Sequence, residues 1–466
     1  MASVTRPKPG RPGAKPGRAR AQARGGAARR DLVRAQPWVV LCGIGLGAVV
    51  VLGLWWQDTP SPHGLGAYLT GAGQILGLLA GYGVVILVAL MARLPPLERG
   101  IGSDRMTRWH AMGGRYVVSI IVAHALLIIW GYAVTAHENV LSESATLVTQ
   151  YPDVLMGTVA GFLFLGVGLV SMRAVRRRLR YETWYYLHFY TYLAIALAFS
   201  HQFANGASFI HSLAARFWWS VLYLTVAGLV LWYRVAVPAR TFVRHGLRVS
   251  GVRAETPGVI SVYISGERLD ELAAEPGQFF RWRFLTRSLW WSSHPYSLSA
   301  APGGDQMRIT VKDRGDHSAS LRELAPGTRI IAEGPYGAFT ASGKAESRTN
   351  GAVLLAGGVG ITPLRALFAT LPGPVTLIYR ASSWADVLFK DELDAIARTR
   401  GGSVHYLTGS REQVPLTSEL LARLVPGLPH RDVYLCGPPG MIAAAISSLR
   451  SAGVPRRQVH IESFEF

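Results

Sequence analysis

The stretch RWHAMGGRYVVSIIVAHALLIIW, residues 108–130, decides how the chain folds. Its apolar run is long enough to cross a bilayer, which takes about 20 residues of helix. Yet it carries two histidines, His110 and His124, fourteen residues apart. Ionisable groups at membrane depth are costly and usually functional. Fourteen helical residues rise roughly 20 Å and return close to the same helix face.

Five further stretches pass the same length test, giving expected spans near 37–56, 68–92, 110–134, 154–172, 184–203 and 217–236. Their connections sort by charge. The segment 93–108 contains Arg93, Arg99, Arg105 and Arg108, and 173–180 reads RAVRRRLR. Arg234, Arg240, Arg244 and Arg248 follow the last span, whereas 57–67 and 135–153 hold no Lys or Arg and 202–216 has only Arg216. The positive-inside rule then places both termini, the Arg-rich loops and the whole C-terminal half on the cytoplasmic side of a bacterial-type cell membrane. Part of the net charge of +20 sits in the first 34 residues, which hold ten Lys or Arg among Gly, Pro and Ala. That segment (1–35) reads as a disordered tail against anionic lipid rather than as a nucleic-acid binder. Arg29–Arg30 faintly resembles a twin-arginine signal, but no small-residue cleavage site follows, so the first span reads as retained. Two cysteines, Cys42 and Cys436, exclude a disulfide framework and the four ligands an iron–sulfur cluster commonly needs.

The fifth span repeats the oddity of the third. WYYLHFYTYLAIALAFSHQF carries His188 and His201, thirteen residues apart. Both spans run from inside to outside, so His110 and His188 share the inner level while His124 and His201 share the outer one. A bis-imidazole pair is what a six-coordinate haem iron needs for electron transfer. A lone membrane histidine is more often a helix–helix hydrogen-bond partner, and zinc favours closed tetrahedral clusters; two depth-matched pairs fit neither. Thirteen residues stop about 100° short of where fourteen arrive, so a π-bulge or a tilt in the fifth span is expected.

H-x13-H followed by H-x12-H resembles the ferric reductase and NADPH oxidase superfamily. The resemblance implies that the four histidines bind two b-type haems, the inner on His110 and His188 and the outer on His124 and His201. His63, His137 and His211 fall in outer loops and read as solvated or acceptor-side residues.

After Arg240 the pattern turns to short alternating runs, LRVSGVRAETPGVISVYISG (247–266), EPGQFFRWRF (275–284) and MRITVKDRG (307–315), as antiparallel strands do. WWSSHPYSLSAAPGG (290–304) offers an aromatic face for a flavin, with Ser297 and backbone donors nearby; an ordinary strand ending in a turn is the plain alternative. GAVLLAGGVGITPLRALFATL (351–371) is a buried strand, a glycine turn and a helix, where Gly357, Gly358 and Gly360 let backbone approach a pyrophosphate. It is not the G-x-G-x-x-G fingerprint. PVTLIYRASS ends in Arg380's strand, and DVYLCGPPGMIAAAISSLR repeats strand, turn and helix, so a doubly wound parallel sheet is expected.

Residues 240–466 resemble the ferredoxin–NADP reductase family. The resemblance implies that His294, Pro295, Tyr296, Ser297 and Leu298 bind FAD, and that Lys312, Ser318 and Ser320 contact flavin phosphates. It further implies that Gly357, Gly358, Gly360, Thr362 and Pro363 hold the nucleotide pyrophosphate, with Cys436, Gly437 and Pro438 at the nicotinamide. His294 stands where soluble members usually have Arg; the His-Pro-aromatic form is similar to the membrane-bound oxidases. HIESFEF resembles the oxidase chain end, which implies Phe464 as the ring-stacking residue, or Phe466, with Glu462 near the flavin; these and Cys436 are the catalytic candidates. Arg380 is placed for a 2′-phosphate, favouring NADPH over NADH.

The expected architecture is a six-span helical membrane bundle (36–237), a flavin-binding antiparallel β-barrel (240–340) and a doubly wound α/β nucleotide domain (350–466). The expected function is electron passage from cytoplasmic NADPH through FAD and two haems, because flavin accepts two electrons and releases them singly. The terminal acceptor is expected to be oxygen, with a ferric chelate, a quinone or a partner protein as alternatives, and no nucleic acid.

Overall fold

A computed structural model describes residues 35–58, 63–341 and 350–462. The basic tail, Phe464 and Phe466 lie outside the described residues. The membrane half comprises α1 (Pro37–Asp58), α2 (Leu65–Leu90), the short α3 (Pro95–Gly100), α4 (Ser103–Ala136), α5 (Val140–Gln150), α6 (Val154–Ser171), the one-turn α7 (Arg173–Arg176), α8 (Tyr181–Asn205), α9 (Ala207–His211) and α10 (Leu213–Leu231). A π-helical turn, Trp232–Ala236, then leads into α11 (Val237–His245).

Five of the helices among the described residues are long and apolar enough to cross a membrane: Pro37–Gln57, Leu65–Leu90, Arg105–Ala136, Val154–Ser171 and Leu213–His245. The helix α8 has the length, at 25 residues, but falls below the same hydropathy level because Tyr, His, Gln and Asn fill its sequence. On α1, Trp38 and Trp56 are both exposed and stand about 27 Å apart along the axis. That is close to the hydrocarbon thickness, and Trp favours its two edges. The helices pack chiefly as α2 on α4 and α6 on α8. Of the bulge or tilt expected in the fifth span, the bulge is absent: α8 is regular α-helix, and the π turn lies at the end of the last span. α8 needs no bulge because His201 is received by α6 and His188 faces His110 on α4.

Six strands build the next domain: β1 (Arg248–Thr256), β2 (Val259–Ser265), β3 (Phe279–Phe284), β4 (His294–Ser297), β5 (Gln306–Lys312) and β6 (Ile330–Tyr336), with α12 (Asp316–Ser320) between the last two. They form two antiparallel sheets, β1-β2-β5 and β4-β3-β6, joined by bridges Leu298–Ile309 and Arg248–Arg329 into a barrel. Its core holds Phe280, Trp282, Phe284, Ile264 and Leu298.

The last domain is β7 (Ala352–Gly357), α13 (Ile361–Thr370), β8 (Val375–Ala381), α14 (Lys390–Arg400), β9 (Ser403–Thr408), α15 (Ser418–Leu424), β10 (Asp432–Cys436), α16 (Pro439–Ser451) and β11 (Val459–Glu462). Every residue of β7 and β10 is buried, as central parallel strands require. The sheet order β11-β10-β7-β8-β9 reverses direction between β7 and β10, and ligands bind outside the strand ends at such a reversal. Arg308 of β5, itself buried, pairs with Glu392 of α14 at 2.7 Å, and Arg365 of α13 joins the same carboxylate at 2.8 Å, tying barrel to sheet.

The membrane bundle and the barrel meet through the connection after α2. Arg93 lies 3.0 Å from Glu98, whose carboxylate also accepts from Ser103 at the start of α4 (2.5 Å). The Arg93 guanidinium sits over the Tyr336 ring of β6 at 5.0 Å.

Candidate functional site

The four membrane histidines come together as two pairs across α4 and α8. The His110 and His188 ring centres stand 6.0 Å apart at 64°. That separation matches two imidazole–metal bonds of about 2 Å with the ring radii added. His124 and His201 are near enough to interact electrostatically. Three of the four imidazoles are fixed the same way. His110 Nδ1–H donates to the Leu87 carbonyl (3.0 Å), His124 Nδ1–H to Gly73 (2.7 Å) and His201 Nδ1–H to Asp153 (3.2 Å). A carbonyl can only accept, so at His110 and His124 the proton is on Nδ1 and the Nε2 lone pair is left for a metal; at His201 the Asn205 amide nitrogen also stands 3.4 Å from Nδ1, with the Asp153 carbonyl the nearer partner. Such a set is suited to holding one ion from two sides, as a bis-imidazole haem demands.

Two glycines make room for the outer pair. A methyl group on Gly77 would stand 2.8 Å from the His124 ring, and one on Gly157 would stand 2.6 Å from His201. The sequence reading had not singled out either glycine. Their signal is three-dimensional, since the partner histidine is on another helix.

A cavity of about 1470 Å³ opens between barrel and nucleotide sheet. The barrel contributes His294, Pro295, Tyr296 and Ser297 of β4, held in place because Trp282 Nε1–H of β3 donates to the Tyr296 carbonyl (3.0 Å). Lys312, Ser318 and Ser320 line the same wall. Both serine hydroxyls donate to nearby backbone carbonyls, Ser318 to Gly315 (2.9 Å) and Ser320 to Asp316 (2.8 Å). Leu298 turns into the barrel core and its side chain does not reach the cavity.

Sequence reasoning passed over His317. Its ring lies 3.6 Å from His294, it lines the cavity, and its buried Nε2 has no hydrogen-bond partner among the described residues. Burial depresses both imidazoles, His294 to about 4 with Arg281 adding to the effect, and His317 to about 3 with His294 adding. Both are therefore neutral at pH 7. From the membrane half, Arg180 and Glu182, at the start of α8, line the cavity as well.

On the nucleotide side the turns after β7 and β10 face each other. A Cβ on Gly360 would lie 2.3 Å from the Cys436 carbonyl oxygen, so only glycine permits this approach. Tyr379 O–H donates to the Gly358 carbonyl (3.2 Å) and steadies the turn. Gly357, Gly358, Gly360, Thr362, Gly437 and Pro438 line the cavity; Pro363 and Cys436 do not. Cys436 is fully enclosed in the sheet core, where burial, with Glu462 beside it, pushes its thiol well up. Its register partner on β11 is Glu462. Arg380 lines the cavity and donates to the carbonyls of Val414 (2.6 Å) and Ser410 (2.9 Å). Arg411 lines the same end, and its charge, after desolvation, lowers the Arg380 pKa. The Glu412 carboxylate, close enough to interact with both guanidiniums, offsets part of this repulsion.

Three families match the chain in succession. A ferric reductase like transmembrane component matches residues 76–199, an FAD-binding domain 247–340 and an oxidoreductase NAD-binding domain 354–446. His110, His124 and His188 lie within the first match, and His201 just past its end. The ferredoxin reductase component of 3-ketosteroid-9-alpha-monooxygenase from Rhodococcus rhodochrous is 30% identical over 240 residues, 48% of this chain and 67% of that one. Ferredoxin–NADP reductase B of Sorangium cellulosum is 29% identical over 193 residues, 36% of this chain and 77% of that one. Among solved structures, the flavohem-like FAD/NAD binding domain of nitric oxide dioxygenase from Vibrio cholerae is 25% identical over 47% of this chain and 98% of its own, with a TM-score of 0.39. The chain thus belongs to the NAD(P)H-dependent flavoprotein oxidoreductases of ferric reductase/NADPH oxidase-like architecture, with a helical membrane domain ahead of its FAD- and NAD(P)-binding modules.

Proposed function

We propose that this membrane oxidoreductase takes electrons from cytoplasmic NADPH and delivers them across the bilayer to a small neutral acceptor outside, oxygen before others. The observation that carries the reading is that α8 serves both ends of the route. Its first turn lines the reductase cavity, and the same helix bears His188 and His201 at two depths. Counting α8 as a span gives six, which returns the chain to the side of the Arg-rich connections, the cytoplasmic side by the positive-inside rule.

Two b-type haems fit the imidazole pairs, His110 with His188 and His124 with His201, and would supply one-electron carriers between the two membrane faces. The chain's own residues do the rest. Backbone carbonyls fix the imidazole tautomers, and Gly77 and Gly157 seat the outer rings. Neutral His294 and His317, with Tyr296, offer an uncharged aromatic wall for FAD. The paired glycine turns admit a pyrophosphate, and Arg380 with Arg411 favours the 2′-phosphate of NADPH. Glu462 and the chain end beyond it, with Phe464, are proposed at the nicotinamide side of the flavin. Cys436 shapes that region through its carbonyl at Gly360 rather than through its enclosed thiol.

The choice of acceptor is supported by charge. The connections between spans on the far side hold no Lys or Arg before Arg216, which lies in the first turn of α10. It is engaged with the Phe209 and Phe203 carbonyls, which leaves little to attract an anionic ferric chelate. The test is spectroscopic. The haem- and FAD-loaded protein is reduced with NADPH under anaerobic conditions, air is admitted and the b-haem band is followed. Rapid reoxidation with superoxide is expected. Haem that stays reduced in air and discharges only on adding ferric chelate would make the acceptor iron.

A further inference from the structure

Three of the four membrane imidazoles are held by a backbone carbonyl, and His188 is the exception. Its Nδ1 is buried and has no hydrogen-bond partner among the described residues. What it has instead is Trp184, one turn earlier on α8, whose ring lies 5.3 Å away at 31°. Trp184 is in turn fixed from two sides. Its Nε1–H donates to Ser171 at the end of α6 (3.2 Å), and the Arg176 guanidinium of α7 lies over its ring at 4.4 Å. A cation over an indole face is among the better aromatic contacts. Arg180 and Glu182, just before Trp184 in sequence, line the flavin cavity.

We propose that Trp184 is the positioning residue for His188, orienting by ring stacking the one inner imidazole that no carbonyl holds, with Arg176 and Ser171 as its supports. The inference rests on the reading of His110 and His188 as haem ligands. Partners of a ligand's far nitrogen normally set ring orientation and ligand basicity, and losing them typically costs 10–100-fold in affinity. Here an aromatic face does the orienting. On this proposal His188 would bind without the added basicity that an Nδ1–H···O=C bond gives, and the inner site would differ electronically from the outer one.

The experiment compares Trp184→Phe with Trp184→Leu in the full chain, purified in detergent with its haem. Leu fills apolar volume without a ring face, and Phe restores the face without the Ser171 hydrogen bond. Low-spin bis-imidazole signals are read by low-temperature paramagnetic resonance, and elution volume and flavin content control for folding. The expected result is two wild-type low-spin signals, both kept in Trp184→Phe, with the inner one shifted or lost in Trp184→Leu. Equal signals in the Leu and Phe variants would reduce Trp184 to packing and overturn the inference. Should Trp184→Leu fail to fold, Trp184→Met, which also lacks a ring face, gives the second reading: an altered inner signal supports the inference, and an unchanged one sinks it. A wild-type chain lacking low-spin signals overturns the haem reading itself, a distinct outcome.

Discussion

The two halves of the molecule hold their candidate ligands by opposite strategies. In the bundle each imidazole depends on one or two contacts: a carbonyl for His110 and His124, a carbonyl with the Asn205 amide for His201, a ring for His188. In the reductase half the cavity wall is shared among β4, the loop before α12, two glycine turns and the start of α8. The bundle has little water to replace a lost partner, so its sites are concentrated and brittle. The cavity spreads recognition over many groups, and single losses there are milder.

The largest expected effect tests the brittle side. His124→Ala should remove the outer haem, halving the pyridine haemochrome per chain, while FAD remains bound. Gly157→Val should weaken the same site by about 10–100-fold, because the new side chain meets the His201 ring. Full haem content in both variants would erase the contrast between the halves.

A middle-sized effect is expected at the cavity's cationic end. Arg380→Gln or Arg411→Gln should each raise KM for NADPH by roughly 10-fold, in line with one charge-assisted hydrogen bond, and leave NADH nearly untouched. Steady-state kinetics with both nucleotides decides this. Equal changes for the two would remove the 2′-phosphate assignment.

The smallest effect is in pH. His294 and His317 titrate near 4 and 3 in the fold, against about 6.5 in an unfolded chain. Between those values the unfolded state binds more protons, so their contribution to stability is present above about pH 6.5 and lost as pH falls through the folded values. Melting followed by flavin fluorescence should show Tm falling from pH 7 to pH 5, and His317→Asn should flatten that slope. An equal slope in the variant would mean that other groups set the acid limit.

Long apolar runs, arginine-sorted loops and four histidines were legible in the sequence because each is a local pattern, as were the glycine turns after β7 and β10. What escaped it joins residues far apart in the chain: Gly77 with His124, Gly157 with His201, Arg380 with Arg411, and Arg93 with Tyr336. The expected bulge in the fifth span arose from asking one helix to aim both histidines alone. The neighbouring helices supply the missing geometry, Asp153 of the α6 cap most directly. The low hydropathy of α8 has the same root, since a helix that must carry ligands and aromatic supports has fewer positions for aliphatic side chains.

The seam at Arg93 has a kinetic consequence. Both it and Glu98 are largely out of water, and removing one partner of such a pair typically costs about 3–5 kcal/mol. With Tyr336 beneath the guanidinium, the barrel is held against the bundle in one setting. A soluble reductase must find its electron acceptor by diffusion, at a rate that follows the acceptor's concentration. Here the cavity and α8 meet at a fixed effective concentration, so on the proposed route traffic between them would be first-order and independent of protein concentration.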